Sequence, residues 1–285
     1  MTMPKERIPG TRVWMAIPPG FTFARAFCGL EHGDEFGISV MDLPEGDFER
    51  NTRNYTKKKF EEKGLEVLQF DRTEQAGYPA IRAAVRSPVD GTVSHQLTFG
   101  DTTFSVFITT VSGKHDPSVH QQMEWVLGTV SYDKSVVVGT YEGTTFRFDD
   151  RRSSYKFAKR GGGAWVYSKN GVDKENYVGE GMMLAMPVPM PAGTTCEGLA
   201  LKQLQGLEAK GFVRERTERE ENRRTNGFPS YSVVHHGLLE GTPTMLYFQV
   251  FDLGGMAVMC FGRSDKDFKR DLAAFKELTS TISKQ

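Results

Sequence analysis

The chain has 285 residues, 38% of them hydrophobic and 25% charged, and its 36 Lys and Arg are balanced by 36 Asp and Glu. At about 100–150 residues per domain, this length predicts two domains, and the ordinary globular composition argues against disorder. A formal net charge of zero gives no overall electrostatic footprint for nucleic acid or an anionic membrane, though it leaves room for a local patch.

In chain order, strand-like material comes first, at Val13 to Ile17, Phe21 to Phe27 and Phe36 to Leu43. A helix is expected from Asp47, a good N-cap residue, to Gly64, a good C′ residue. Four strands follow: Leu65 to Glu74, Tyr78 to Arg86, Thr92 to Phe99 and Thr103 to Val111. They are rich in β-branched and aromatic residues and separated by short breaks, which join antiparallel neighbours. Asp116 and Pro117 then open a helix in which Val119, Met123, Val126 and Val130 recur at helical spacing.

The same order returns in the second half. Strands are expected at Thr145 to Phe148, Ala164 to Tyr167 and Gly181 to Met186. Thr194 and Glu197 have capping-box spacing. Ala200, Leu201, Leu204 and Leu207 then share a helical face, and Gly211 ends that helix. Strands follow at Phe212 to Arg219, Phe228 to His235, Thr242 to Phe251 and Met256 to Phe261. Ser264 opens a last helix carrying Phe268, Leu272, Phe275 and Leu278.

The two halves also match locally. Phe60-Glu61-Glu62-Lys63-Gly64-Leu65 resembles Leu207-Glu208-Ala209-Lys210-Gly211-Phe212. Gly77-Tyr78-Pro79-Ala80 resembles Gly227-Phe228-Pro229-Ser230, and Asp90-Gly91-Thr92 resembles Glu240-Gly241-Thr242. The offsets, 211 − 64 = 147 and 227 − 77 = 150, are those of a duplicated domain, because a solenoid unit repeats every 20–50 residues or so. The expected fold class is α+β: two tandem copies of an antiparallel sheet flanked by helices, with domains at residues 1–135 and 136–285.

This order of strands, helix, four strands and helix resembles the PsbP-like α/β/α sandwich. That family includes the extrinsic photosystem subunit PsbP and bacterial envelope proteins of the DcrB and LpqN type. The residues carrying the resemblance are Ile17-Pro18-Pro19-Gly20, Gly77-Tyr78-Pro79, Asp90-Gly91-Thr92 and the closing helix of each copy. These mark turns and not chemistry, so no catalytic residue is carried over. The resemblance implies binding, in adaptor or assembly roles.

Motifs for catalysis are missing. The sequence has no G-x-S-x-G, no P-loop and no HExxH. Gly161-Gly162-Gly163 reads as a strand entry, and Gly179-Glu180-Gly181 lacks the third glycine of a dinucleotide loop. His235 and His236 are adjacent on a strand, so they point to opposite faces and cannot chelate one ion. The expectation is one core-facing and one exposed histidine. Asp116 and His120 supply two ligands at most, short of a zinc site. Glu31, Asp34 and Glu35 read as a solvated turn, and Arg214 to Arg224 as an exposed charged strand pair. Cys28, Cys196 and Cys260 are odd in number and widely spaced, so no disulfide framework is expected. No cofactor and no metal is read from the chain.

No apolar run approaches the roughly 18 residues of a membrane span. Met1 to Arg7 has no apolar stretch behind its charges, so no signal peptide is read there. On that reading a full-length chain is cytoplasmic, and a chain trimmed of its signal peptide belongs to the cell envelope.

One segment invites a functional reading. Met182, Met183, Met186 and Met190 lie in an apolar stretch that ends in three prolines, Pro187, Pro189 and Pro191. As plain structure it is a core strand leading into a loop. As function it is an adaptable apolar surface, since Met repacks against varied partners. The corresponding Leu43-Pro44-Glu45-Gly46 of the first copy is tight. Met186, Val188 and Met190 are therefore expected to cover an interface between the copies or to meet a partner. The reading overall is a non-catalytic binding protein for a protein or peptide. The alternative is a small-molecule or lipid carrier using the groove between the copies, and an enzyme comes third. An exposed apolar patch would favour the first and a deep cavity the second.

Overall fold

The computed structural model describes residues 4–33, 36–112, 117–161, 163–174 and 176–285. The chain divides into two compact units, Met1–Gly143 and Thr144–Gln285. Asp34, Glu35 and Asp116 lie outside the described residues, and so do the turn and metal readings that depend on them.

The first unit contains β1 (Lys5–Arg7), β2 (Val13–Ala16), β3 (Thr22–Phe23), β4 (Gly29–His32), β5 (Phe36–Pro44), α1 (Phe48–Thr52), α2 (Lys57–Glu62), β6 (Glu66–Gln75), β7 (Tyr78–Arg86), β8 (Val93–Gly100), β9 (Phe104–Ser112), α3 (Pro117–Gly128) and β10 (Ser131–Tyr132). The second contains β11 (Phe146–Arg147), β12 (Tyr155–Gly161), β13 (Ala164–Lys169), β14 (Met182–Pro189), α4 (Cys196–Glu208), β15 (Phe212–Thr225), β16 (Phe228–Leu239), β17 (Thr242–Asp252), β18 (Met256–Ser264), α5 (Phe268–Thr279) and β19 (Ser283–Lys284).

Each unit is built on a seven-stranded sheet, in the order β3-β4-β5-β9-β8-β7-β6 in the first and β12-β13-β14-β18-β17-β16-β15 in the second. Both run the same way. Three strands meander, the first helix or helix pair carries the chain to the far edge, and four strands return until the last pairs with the third. All neighbours are antiparallel. The architecture is thus the α+β sandwich expected. The sequence reading missed β4 and β12 and made the strand at Phe21 longer than its two residues.

The turns explain part of the sequence likeness. Ala76-Gly77 and Asn226-Gly227 both have two successive positive φ angles, 53° and 81° in one and 51° and 83° in the other. This is the left-handed pair that a two-residue hairpin requires, and its twist matches that of the strands.

Helices cover both faces of each sheet. In the first unit, Met123, Val126 and Leu127 of α3 pack with Ile38, Val40, Leu97 and Val106. On the opposite face Phe60 of α2 packs with Ala83 and Val85. The single helix expected between Asp47 and Gly64 is broken in two. Asp47 caps α1 by accepting from the Arg50 N–H at 2.7 Å, and Thr56 caps a new start at α2 by accepting from Lys59 N–H at 3.3 Å. A side chain that competes for backbone hydrogen bonds favours such a restart.

In the second unit the equivalent connection is one 13-residue helix, α4. Its N-cap is Thr195, which accepts from Gly198 N–H at 3.0 Å, one residue beyond the expected Thr194. Ala200 and Leu204 of α4 pack on Val233, Leu246, Phe248 and Val250. On the other face Phe275 of α5 stacks on Tyr247 and meets Tyr155 edge-on. Each large side chain so buried contributes about 1.5–3 kcal/mol.

Residues 133–143 are fastened to the first unit. Arg12 Nε donates to the Val136 carbonyl at 3.1 Å, and the Arg7 guanidinium pairs with Glu142.

Candidate functional site

The segment singled out from the sequence is a strand for most of its length. β14 continues through Pro187 to Pro189, which works because its pairing with β13 ends at Ala185. Beyond that point β14 has only β18 beside it, so a missing proline N–H on the other side leaves no ladder bond unmade. Met186, Val188 and Met190 are half-buried and pack against the cluster beneath α4.

The first unit treats the same place differently. Met41 pairs with Phe107, and Met186 pairs with Met259. Both pairs stand three positions before the last pair of their ladders, Pro44 with Phe104 and Pro189 with Met256. Met41 is therefore the positional counterpart of Met186. It lies on the face opposite Ile38 and Val40, which belong to the core under α3. Two short helices cover less of that face than α4 does. Tyr55, between them, meets the edge of Phe107, but Met41 stays 37% exposed and Ser39 beside it is exposed. An apolar strip of Met41 and Phe107, flanked by Ser39 and Thr109, is left open.

A second feature is a cavity of about 400 Å³ inside the second unit, lined by the β13–β14 connection and the start of α5. Four cations reach it: Lys169, Lys174, Lys266 and Arg270. Lys174 pairs with Glu180 at 2.5 Å, and Arg270 with Asp267 at 2.5 Å. The Lys174 bond holds the Glu180 carboxyl below its usual range. Lys169 and Lys266 have no hydrogen bond or ion pair among the described residues.

At the cavity floor lie Tyr155 and Asp271, 1% and 4% exposed. Asp271 Oδ2 accepts from the Ser264 hydroxyl at 2.6 Å. The Tyr155 hydroxyl makes no hydrogen bond of good geometry, and the polar group acting on it is the Asp271 carboxylate beside it. Burial pushes its pKa up, and the nearby Asp271 carboxylate adds to the effect. Gly181 closes over both groups: an added Cβ would overlap the Tyr155 hydroxyl and stand 2.8 Å from Asp271 Oδ2. The sequence marked Gly181 only as part of a failed dinucleotide motif, and close packing is the reason for a glycine there.

The histidines depart from expectation. Both His235 and His236 are buried, at 2% and 8% exposure, on opposite faces of β16. His235 lies edge-on to Phe248, with Nδ1 3.0 Å from the Thr217 hydroxyl. His236 pairs with Glu218 and is covered by Phe268, which is why it is not exposed. The Arg- and Glu-rich β15 is a charged edge strand beside the apolar β16, and not one of two charged strands. Such charges discourage pairing with another chain. Among the described residues no three His, Cys, Asp or Glu side chains converge as a metal site, and the cysteines form no disulfide. No helix is long and apolar enough to cross a membrane.

No family model and no curated protein sequence matches this chain. Several solved structures are similar to it at low identity. The solution structure of cyanobacterial PsbP (CyanoP) from Synechocystis sp. PCC 6803 is 12% identical with a TM-score of 0.33, covering 54% of this chain and 98% of its own. The apo immunity protein TplEi of T6SS from Pseudomonas aeruginosa is 11% identical with a TM-score of 0.36, covering 96% and 95%. The Tle4–Tli4 complex is 12% identical with a TM-score of 0.36, covering 96% of each chain. At these values no residue role passes from those proteins to this one.

Proposed function

We propose that this chain is a non-catalytic binding protein whose ligand is a protein or peptide, met at the open strip of Met41 and Phe107. The observation that carries this reading is the difference between equivalent places. The second unit half-buries Met186 against the cluster beneath a helix, while the first leaves Met41 37% exposed. An apolar strip left open on a sheet face is a candidate interaction surface. On this reading Met186, Val188 and Met190 contribute to the contact with α4, and the partner surface is their counterpart in the first unit.

The test is a photo-crosslinking amino acid placed at position 41, at position 186 and at the fully open Val89, in the organism that makes the protein. A discrete protein adduct at 41, absent at 186 and 89, is the expected result. No adduct at 41 beyond that at 89 refutes the reading.

A small-molecule carrier is the second reading. The observation favouring it is the cavity of the second unit, whose volume falls in the range of roughly 300–1,000 Å³ usual for ligand pockets.

We also propose that the two units descend from one duplicated PsbP-like domain; the limits expected from the sequence, 1–135 and 136–285, differ from the compact units only in residues 136–143, which pack with the first. The shared strand order and the paired left-handed turns support this.

A further inference from the structure

We infer that the cavity of the second unit binds a small organic molecule carrying a carboxylate or phosphate at one end and a hydrogen-bond donor at the other. The inference is independent of the strip on the first unit, since it concerns different residues of a different unit.

The mouth is built for an anion. Lys169 and Lys266 bring two ammonium groups that make no close ion pair among the described residues, and the one carboxylate they act on there, Glu180, is already bonded to Lys174. The 12-residue α5 begins at the same place, and its N-cap Asp267 makes no side-chain cap bond, because its carboxylate is drawn to Arg270. The first-turn N–H groups are therefore left without a side-chain acceptor, at the positive end of the helix dipole. The neighbouring sequence is basic: six Lys and Arg stand between Asp150 and Lys174, and of these Arg151 and Lys159 are paired with Asp149 and Asp173. The chain as a whole is neutral, so this concentration is local.

The floor has the opposite character. Asp271 is buried, takes the Ser264 hydroxyl and lies beside the Tyr155 hydroxyl. It keeps an anion away from the floor and favours a donor there. Beside it the Tyr155 hydroxyl lies buried next to the same carboxylate without a hydrogen bond of good geometry. A buried polar group left unmade costs about 1–3 kcal/mol, so such a group calls for an explanation. A ligand that hydrogen-bonds at the floor supplies one, and it would span from Asp271 and Tyr155 to the two lysines.

The test is a chemical-shift titration of the amide-labelled full chain with three probes: inorganic phosphate, butyrate and 4-aminobutyrate. Phosphate reports on the mouth alone, and butyrate against 4-aminobutyrate isolates the donor. The expected result is saturable shifts at Lys169, Gly179 to Gly181 and Lys266 to Arg270. Binding of 4-aminobutyrate should be at least threefold tighter than that of butyrate. The K169A/K266A variant should weaken all three probes at least tenfold. Y155F should narrow the preference for 4-aminobutyrate, and D271N should remove it if that chain folds. If phosphate saturates and butyrate does not, the anionic group is a phosphate; the reverse assigns a carboxylate. Shifts that fail to saturate, or that survive unchanged in K169A/K266A, overturn the site. Equal binding of butyrate and 4-aminobutyrate overturns its two-ended character.

Discussion

The packing of Gly181 over Tyr155 makes a double-mutant cycle. An added methyl at position 181 overlaps the Tyr155 hydroxyl and stands 2.8 Å from Asp271 Oδ2. Both neighbours are buried, so neither can swing into solvent. Overpacking a filled core costs about 1–3 kcal/mol, and G181A should lie at the upper end, near 3 kcal/mol. Y155F should change stability by less than about 1 kcal/mol in either direction, since the deleted hydroxyl is buried beside Asp271 without a hydrogen bond of good geometry. In the Y155F background one of the two overlaps is gone, so G181A should cost at least about 1 kcal/mol less, a coupling of the size expected for residues in contact. Trp165 is the only tryptophan between residues 144 and 285 and is 1% exposed. Its fluorescence in a W14F/W125F background therefore follows urea unfolding of the second unit. A destabilisation above about 1 kcal/mol for Y155F, or additive costs in the double variant, would refute the account of this floor.

Three further outcomes are expected. Burial, with Arg214 and His236 adding to it, depresses the His235 pKa from 6.5 to about 4. The unfolded chain thus takes up the proton first. Stability should be full above pH 6.5 and fall towards pH 4, by about 3 kcal/mol at 1.36 kcal/mol per unit. H235F should flatten that part of a melting-temperature profile, and an unchanged slope would contradict the assignment. M186S should lower stability by about 1–2 kcal/mol, since its side chain packs beneath α4. M41S should cost less than about 0.5 kcal/mol while abolishing the crosslinked adduct's native counterpart in a pull-down; equal losses in urea unfolding would deny that the two places differ. Ala76 holds a φ of 53° that Asn226 tolerates better in the second unit, so A76N should raise the first unit's stability by about 0.5–1 kcal/mol in the same assay. N226A should cost about 1–2 kcal/mol, because the amide also donates to the Ser280 and Ile282 carbonyls.

The sequence by itself determined the element types and many of the turns. Positive-φ turns at Gly77 and Gly227, glycine stops at Gly64 and Gly211, and the stripe of Leu272, Phe275 and Leu278 are dictated by local physics: steric limits on φ, capping chemistry and helical period. Even there, Thr56 shows the limit, since a competing cap split one expected helix into two. Only the tertiary structure decided which strands lie side by side. β5 pairs with β9, 60 residues further on, because the intervening helices carry the chain to the far edge of the sheet. That crossing also decided which apolar residues are covered: Met41 and Met186 occupy equivalent strand positions, and the length of the helix above them sets their exposure. The cavity was illegible for the same reason. Tyr155, Lys169, Gly181, Lys266 and Asp271 come from separate strands, loops and a helix start, and each is unexceptional where it stands. Burial, charge and the missing Cβ acquire meaning only when folding brings them within hydrogen-bonding reach of one space.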